Sequence, residues 1–506
     1  MKKLFLFFLV LAPVFLLAQK KPNPSVYAKS ITTDDLKKHL YIIASKEMEG
    51  RETATPGQKK AAAYIESQFK AMGLLPGNNG SYQQYYNVFQ DSLTGASIEI
   101  NGKSFELDKD FTVNTGQNYP ATYRFGEIVF VGQGLVDSTH DDYKGLDVRG
   151  KTVLLLASAP QQPGQGRGGF GNQFARIDVA QKNGATAVLV IGTGFPKALK
   201  TNPRGNMYVN AFQKNVRINQ FTISDNIAKE ILGNDFEAAK SGNMAPRTIS
   251  TELMLSFNKT TTKLESSNVL GMIEGTDLKD EYVFITGHYD HLGKRDTVIY
   301  YGADDDGSGT VGVMEIAEAF AKAKAEGKGP RRTMVFMTVT GEEKGLWGSA
   351  YYTNHPVFPL DKTTVDLNID MIGRIDSKRK EGDSTNYIYV VGDDKVSTDL
   401  KPISESMNGK YMKMELDYKY NDPKDPNRIY FRSDHYNFAS KGVPIIFYYD
   451  GMLGADYHRP TDTPDKINYE LFAKRAQLVF YTAWEMANRD GMLKRDIKLE
   501  VPQRGF

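Results

Sequence analysis

The chain has no cysteine among its 506 residues. Disulfides, thiolate zinc sites and cysteine nucleophiles are therefore all excluded, and any metal must be held by His, Asp or Glu. Net charge is nearly absent too: 63 Lys and Arg stand against 61 Asp and Glu, leaving +2. That balance gives no support to a nucleic-acid partner. Only one long apolar run occurs, residues 4–17, and it is shorter than the roughly 20 residues a membrane span needs. Lys2 and Lys3 precede it and Ala18 follows, the pattern of a secretory signal peptide over residues 1–18. The expectation is an exported protein, periplasmic or secreted, with no membrane span after signal removal. No cysteine follows the run, so lipid attachment there is excluded as well.

What is present reads as ordinary globular protein, with 40% hydrophobic and 25% charged residues and length for two or three domains. Thr33 or Asp34 is positioned to cap a helix carrying Leu36, Leu40 and Ile43. A second amphipathic helix is expected from about Lys59 to Met72, with Ala62, Ile65 and Phe69 on one face. From about 119 to 252 the texture changes to strand-like runs with one helix near 175–183, which predicts an inserted β-rich module. Its Gly/Gln-rich stretch 161–174 reads as a surface loop. Beyond 253, apolar runs at 282–285, 333–339, 365–371, 387–391 and 443–449 alternate with helical patterns, notably 308–326 and 469–488. Such alternation predicts an α/β fold with a mixed, mostly parallel central sheet flanked by helices.

Ligands of such sheets bind beyond the carboxyl ends of the strands. Charged residues gather there: His288, Asp290 and His291 after one run, Glu342 and Glu343 after the next, and Asp370 late in the third. Asp304, Asp305 and Asp306 lie on a Gly-rich loop, and His458 follows Tyr457 further on. Singly, each has a plain structural explanation, except that an unpaired Asp370 in an apolar strand is costly to bury. Together they form a nitrogen and oxygen donor set for divalent metal. Residues 304–315 (DDDGSGTVGVME) also approach a calcium-loop pattern ending in Glu315, but the strand-like VIYYGA before them is no entering helix.

HYD at 288–290, GADDDGSG at 302–309, GEEKGLWGS at 341–349, NIDMIGR at 368–374 and YHRPTDT at 457–463 resemble, in order and spacing, the dizinc metallopeptidases of the bacterial leucyl aminopeptidase and aminopeptidase Y type, peptidase family M28. EGRETATPGQKKAAAYIESQFKAMGLLP resembles the opening segment of that family. DYKGLDVRGKTVLLL and KNGATAVLV resemble an inserted protease-associated domain. The resemblance implies residues 19–118 and 253–506 as peptidase domain and 119–252 as the insert. It also implies two zinc ions per chain, one held by His288 and Asp370, the other by Glu343 and His458, with Asp305 between them. Asp290 would orient His288, Glu342 would act as general base and Tyr457 would steady the tetrahedral intermediate. His291 is left as structural or rim-lining, and Ser433-Asp434-His435 has no ligand role.

Such a site would hydrolyse N-terminal residues from peptides, with a water activated between two zincs about 3.5–4 Å apart. Adjacent glutamates fit this chemistry: one can ligate while the other moves the proton. Other readings stay open. Arg374, Arg428 and Arg432 would allow a carboxypeptidase or dipeptidase, relatives with one zinc cyclise glutaminyl termini, and a receptor-like protein would need none of the catalytic set.

Overall fold

The computed structural model describes residues 22–138, 140–157, 168–210, 216–454 and 456–499. The expected signal segment lies outside them. The chain folds as two compact units, leaving the first after Tyr86 and returning to it at Ser266, with 87–265 forming the second.

In the first unit, alternation of apolar side chains builds a sheet covered on both faces. Along the strand Leu278–His288, Val283 and Ile285 enter one core while Phe284 enters another. The next strand, Arg332–Val339, repeats the rule with Met334 and Phe336 on one side and Val335 and Met337 on the other. Strand order across the sheet is Glu415–Asp417, Tyr387–Val391, Ile445–Tyr449, Thr363–Ile369, Leu278–His288, Arg332–Val339 and then residues 266–273. Leu278–His288 is parallel to both its neighbours, and Thr363–Ile369 is parallel to Ile445–Tyr449. Tyr387–Val391 runs antiparallel to Ile445–Tyr449 but parallel to Glu415–Asp417, and residues 269–273 run antiparallel to Arg332–Val339. The sheet is therefore mixed and mostly parallel, as the alternating pattern predicts.

Helices Thr33–Ile43, Pro56–Ala71, Gly309–Ala325 and Tyr469–Asn488 supply the larger core. Thr32, one residue before the expected cap, is the actual one, its side chain accepting from the Asp35 N–H. The calcium-loop reading fails on geometry, because Glu315 sits in the middle of Gly309–Ala325 beside His39 rather than over the aspartates. Among the described residues, no helix is long and apolar enough to cross a membrane.

The second unit is wider than 119–252 on both sides. Ile98, Ile100, Phe105 and Phe111 share one buried cluster with Ile128, Phe221 and Leu255, so these earlier segments cannot be separated from that core. Strands Ala121–Phe130, Thr152–Leu156, Ala187–Ile191 and Asn219–Ile223 run parallel in that order. Among the described residues, three helices pack with them rather than one: Gly168–Lys182, Asp225–Leu232 and Phe236–Lys240. The first begins inside the stretch expected as a loop, of which residues 161–167 lie outside the described residues.

Candidate metal centre

Parallel strands deliver the site. His288 ends one of them, Glu342 and Glu343 follow the turn after its neighbour, and Asp370 is the first residue beyond Thr363–Ile369. His288 Nε2 lies 3.3 Å from Asp305 Oδ1, 3.7 Å from Asp370 Oδ1 and 3.9 Å from Glu342 Oε2. His458 Nε2 lies 3.1 Å from both Asp305 Oδ2 and Glu343 Oε2. Asp305 thus stands between two donor groups, one oxygen toward each.

The three consecutive aspartates have separate tasks. Asp304 Oδ1 accepts from the Gly373 N–H at 2.9 Å. Asp306 accepts three main-chain N–H groups, from His288 (3.1 Å), Gly309 (2.8 Å) and Met371 (2.9 Å). His288, Asp306 and Asp370 are close enough to share an ion. Those three amides nevertheless occupy Asp306, and Asp305 is the nearer carboxylate to the imidazole. Gly309 must be glycine, because a Cβ there would fall 2.2 Å from Asp306 Oδ2. Asp462 in turn accepts the N–H groups of Asp304 and Asp305.

Asp290 orients His288 differently from expectation. Its main-chain carbonyl, not its carboxylate, is nearest Nδ1, at 3.1 Å against 3.7 Å. The carboxylate accepts from the Thr53 hydroxyl at 2.7 Å and from the Glu342 N–H at 3.3 Å. It thereby ties the turn at Glu342 to the imidazole strand.

Tyr457 stacks on His458 at 3.9 Å and its hydroxyl accepts from Arg432 Nη2 at 3.0 Å. Burial first, then Asp305, raises the phenol, so it keeps its proton as a donor. Arg374 is committed to Asp456 at 2.9 Å and Arg428 lies over the Phe431 ring. Only Arg432 reaches the pocket beside the centre, where Met371, Ile429, Phe447 and Leu453 supply an apolar wall. His435 is buried, its Nε2 meeting the Tyr430 carbonyl, and burial pushes it down to about 3, so it stays neutral and structural.

His291 departs from expectation. It is neither at the rim nor bonded into the scaffold: its ring is wholly buried, with Nδ1 2.8 Å from Glu343 Oε1. Arg51 and Thr53 carry roles that the sequence does not assign to them. Arg51 is fully buried and donates to the carbonyls of Tyr289, Ile43, Tyr301 and Gly302 at 2.7–2.8 Å. It fastens the N-terminal helices to both metal-side loops, and burial pulls its guanidinium down to about 10 despite the surrounding aspartates. The only sequence signal for it was the EGRETATPG stretch, which no periodicity rule singles out.

The electrostatics and the orphaned atoms both ask for cations. His288 Nε2, both nitrogens of His291, Asp305 Oδ2 and Glu343 Oε1 are buried without hydrogen-bond partners. Burial raises Glu342 well above the carboxylate range, a push that His288 opposes and Asp370 and Glu343 reinforce. For His458, burial alone would lower the ring, but Asp305 and Glu343 outweigh it and hold it up to about 10. Imidazole nitrogens and carboxylate oxygens without thiolate suit zinc, so the residues fit the metal that the motif resemblance implies.

Residues 268–483 match the model of peptidase family M28. A probable leucine aminopeptidase of Arthroderma otae is 30% identical over 232 residues, 44% of this chain and 59% of that one. A probable zinc metalloprotease of Leptosphaeria maculans is 34% identical over 265 residues, 45% and 58% of the two chains. The chain thus spans less than two thirds of the length of these curated relatives. An aminopeptidase from Aneurinibacillus sp. strain AM-1 superposes with TM-score 0.54 at 19% identity, over 96% of this chain and all of the other. A Bacillus subtilis zinc aminopeptidase gives 0.52 at 19%, over 92% and 99%. These solved structures share the fold. By sequence, the segment that resembles peptidase family M28, residues 268–483, holds every candidate ligand and the paired glutamates.

Proposed function

We propose that the protein is an exported dizinc aminopeptidase that removes N-terminal residues from peptides. One observation carries the reading: two donor groups share Asp305, and Glu342 faces the adjoining pocket without being drawn into either. His288, Asp305 and Asp370 would hold one ion, and Asp305, Glu343 and His458 the other. Bound there, zinc would polarise the scissile carbonyl and acidify the attacking water.

The protein's own groups do the rest. Glu342, which lines the pocket beside the centre, takes the proton of the attacking water and delivers it to the leaving amine. Asp290 fixes the Glu342 main chain through the 3.3 Å amide contact. Tyr457 donates toward the developing oxyanion, with Arg432 holding its hydroxyl. The apolar wall of the pocket receives a side chain of the substrate. Lys2, Lys3 and the apolar run 4–17 support export, and the motifs within 87–265 support a protease-associated role for the second unit.

Aminoacyl-anilides and N-acetylated peptides, each assayed with and without chelator, test the reading. Chelator-sensitive release from free N-termini alone is the expected result. Arg432 favours a second reading, in which its guanidinium binds a substrate carboxylate in a carboxypeptidase or dipeptidase; cleavage of N-blocked peptides would select it. Glu342→Gln should keep about two metals per chain while turnover falls by roughly 10²–10⁴. Loss of metal from that variant would show that the two glutamates have been exchanged.

A further inference from the structure

His291 is the one imidazole in the centre that the five-ligand assignment does not use. Its ring is wholly buried, and neither ring nitrogen has a hydrogen-bond partner. Burying both polar atoms of an imidazole unsatisfied is costly, so the ring needs a partner. Nδ1 approaches Glu343 Oε1 to 2.8 Å, yet the two atoms are not aligned as donor and acceptor, and Oε1 is itself unsatisfied. Two polar atoms in contact that do not bond to each other are placed to bind the same third body.

The surrounding distances describe that body. In a tetrahedral shell with bonds of about 2.0–2.1 Å, ligand atoms lie about 3.3 Å apart. His291 Nδ1 is 2.8 Å from Glu343 and 3.9 Å from Asp305 Oδ2, while His458 Nε2 is 3.1 Å from each of these two carboxylates. The rings of His291 and His458 stand edge to face, 5.9 Å apart at 71°. His291, Asp305 and Glu343 by themselves already bring three donor atoms within reach of one ion. The ring cannot swing away: Gly302 packs against it so closely that a Cβ would lie 2.5 Å from its Cγ.

We propose that His291 is a fourth protein ligand of the ion held by Asp305, Glu343 and His458. This rests on reading the site as a two-metal centre. The two positions then differ in chemistry. One has two imidazoles, the other a single imidazole with Asp370 and Asp305. The imidazole-rich position selects zinc or cobalt, whereas the carboxylate-rich one accepts manganese more readily. Loading is therefore sequential, with the position at His291 filled first.

Cobalt reports this directly. The full-length protein, stripped with chelator and titrated with Co²⁺, should take up two ions per chain in two resolved steps. Its proton NMR spectrum should show three hyperfine-shifted, solvent-exchangeable imidazole N–H signals, from His288, His291 and His458. His291→Asn should retain two of them and weaken one position by more than the roughly 10–100-fold that losing an outer partner costs. The metal-free variant should melt where the metal-free wild type does. Two such signals in the wild type overturn the assignment without recourse to any variant, as would unchanged uptake by His291→Asn. Fewer than two ions in the wild type would instead overturn the two-metal reading, and this inference with it.

Discussion

Asp304, Asp305 and Asp306 are chemically identical neighbours, and only their surroundings separate them. Asp306 is consumed by three main-chain N–H groups, so Asp306→Asn turns an acceptor-only group into one that must face donors with an amide. That substitution should cost about 1–3 kcal/mol in the metal-free protein, measured by denaturant unfolding. Asp305→Asn should instead reduce metal content while leaving far-ultraviolet circular dichroism unchanged, because its free oxygen serves no scaffold bond. The opposite pattern would exchange their roles. That the five expected ligands and Glu342 would gather in one place was legible in the sequence, because their spacing matches a family pattern and the structure brings them together. His291 was not, since its place is set by Glu343 and Gly302, which reach it only through the fold. The use of the Asp290 carbonyl rather than its carboxylate is likewise a matter of backbone direction, which residue identity does not carry.

Strands were legible where burial on both faces makes a continuous apolar run, as at Tyr387–Val391, where the expected and observed limits coincide. The three-residue edge strand Glu415–Asp417 is too short to show any period, and the strand-like texture around Asp225–Leu232 hides that short helix. Helix Gly309–Ala325 follows the expected helical pattern, but that pattern does not account for its buried Glu315. Glu315 is buried on it, with neither carboxylate oxygen hydrogen-bonded and His39 Nε2 3.5 Å away. Burial, reinforced by Glu318 and Asp35 and opposed by Lys322 and Lys38, raises it to about 8. Burial also lowers His39, which stays neutral and bonded to the Tyr64 hydroxyl. A carboxyl with a raised folded pKa favours the fold while protonated. Its contribution is complete below about pH 4.5 and lost as pH rises to about 8. Glu315→Gln escapes that loss. It should therefore exceed the wild type in stability by roughly 2–4 kcal/mol at pH 9 and by almost nothing at pH 4, read from unfolding curves at both values. Equal stability at pH 9 would mean the carboxylate has a partner when ionised.

At the scale of the whole molecule, the two units keep separate hydrophobic clusters. Those of the first draw only on residues before 87 and after 265, and those of the second only on residues between. The chain also leaves and re-enters the first unit at one place. Tyr86 and Ser266 both bring their hydroxyls to Thr340 Oγ1, at 2.8 and 2.9 Å. Ser267 donates to Gln83 at 2.9 Å, and the Leu270 N–H donates to the Tyr82 carbonyl at 2.7 Å. A segment whose ends meet within one unit, and whose core is its own, can be removed at small cost to what remains. Replacing residues 87–265 by a short Gly/Ser linker should therefore give a soluble protein that still binds about two metals per chain, since every donor lies outside the excised segment. Such a protein should also release product from an aminoacyl-anilide, a substrate too small to need further surface. Elemental analysis and the anilide assay decide the matter. An insoluble or metal-free product would show that the first unit depends on the second for its fold, and that the shared strands Gln83–Ile100 and Arg247–Ile273 are more than a passage for the chain.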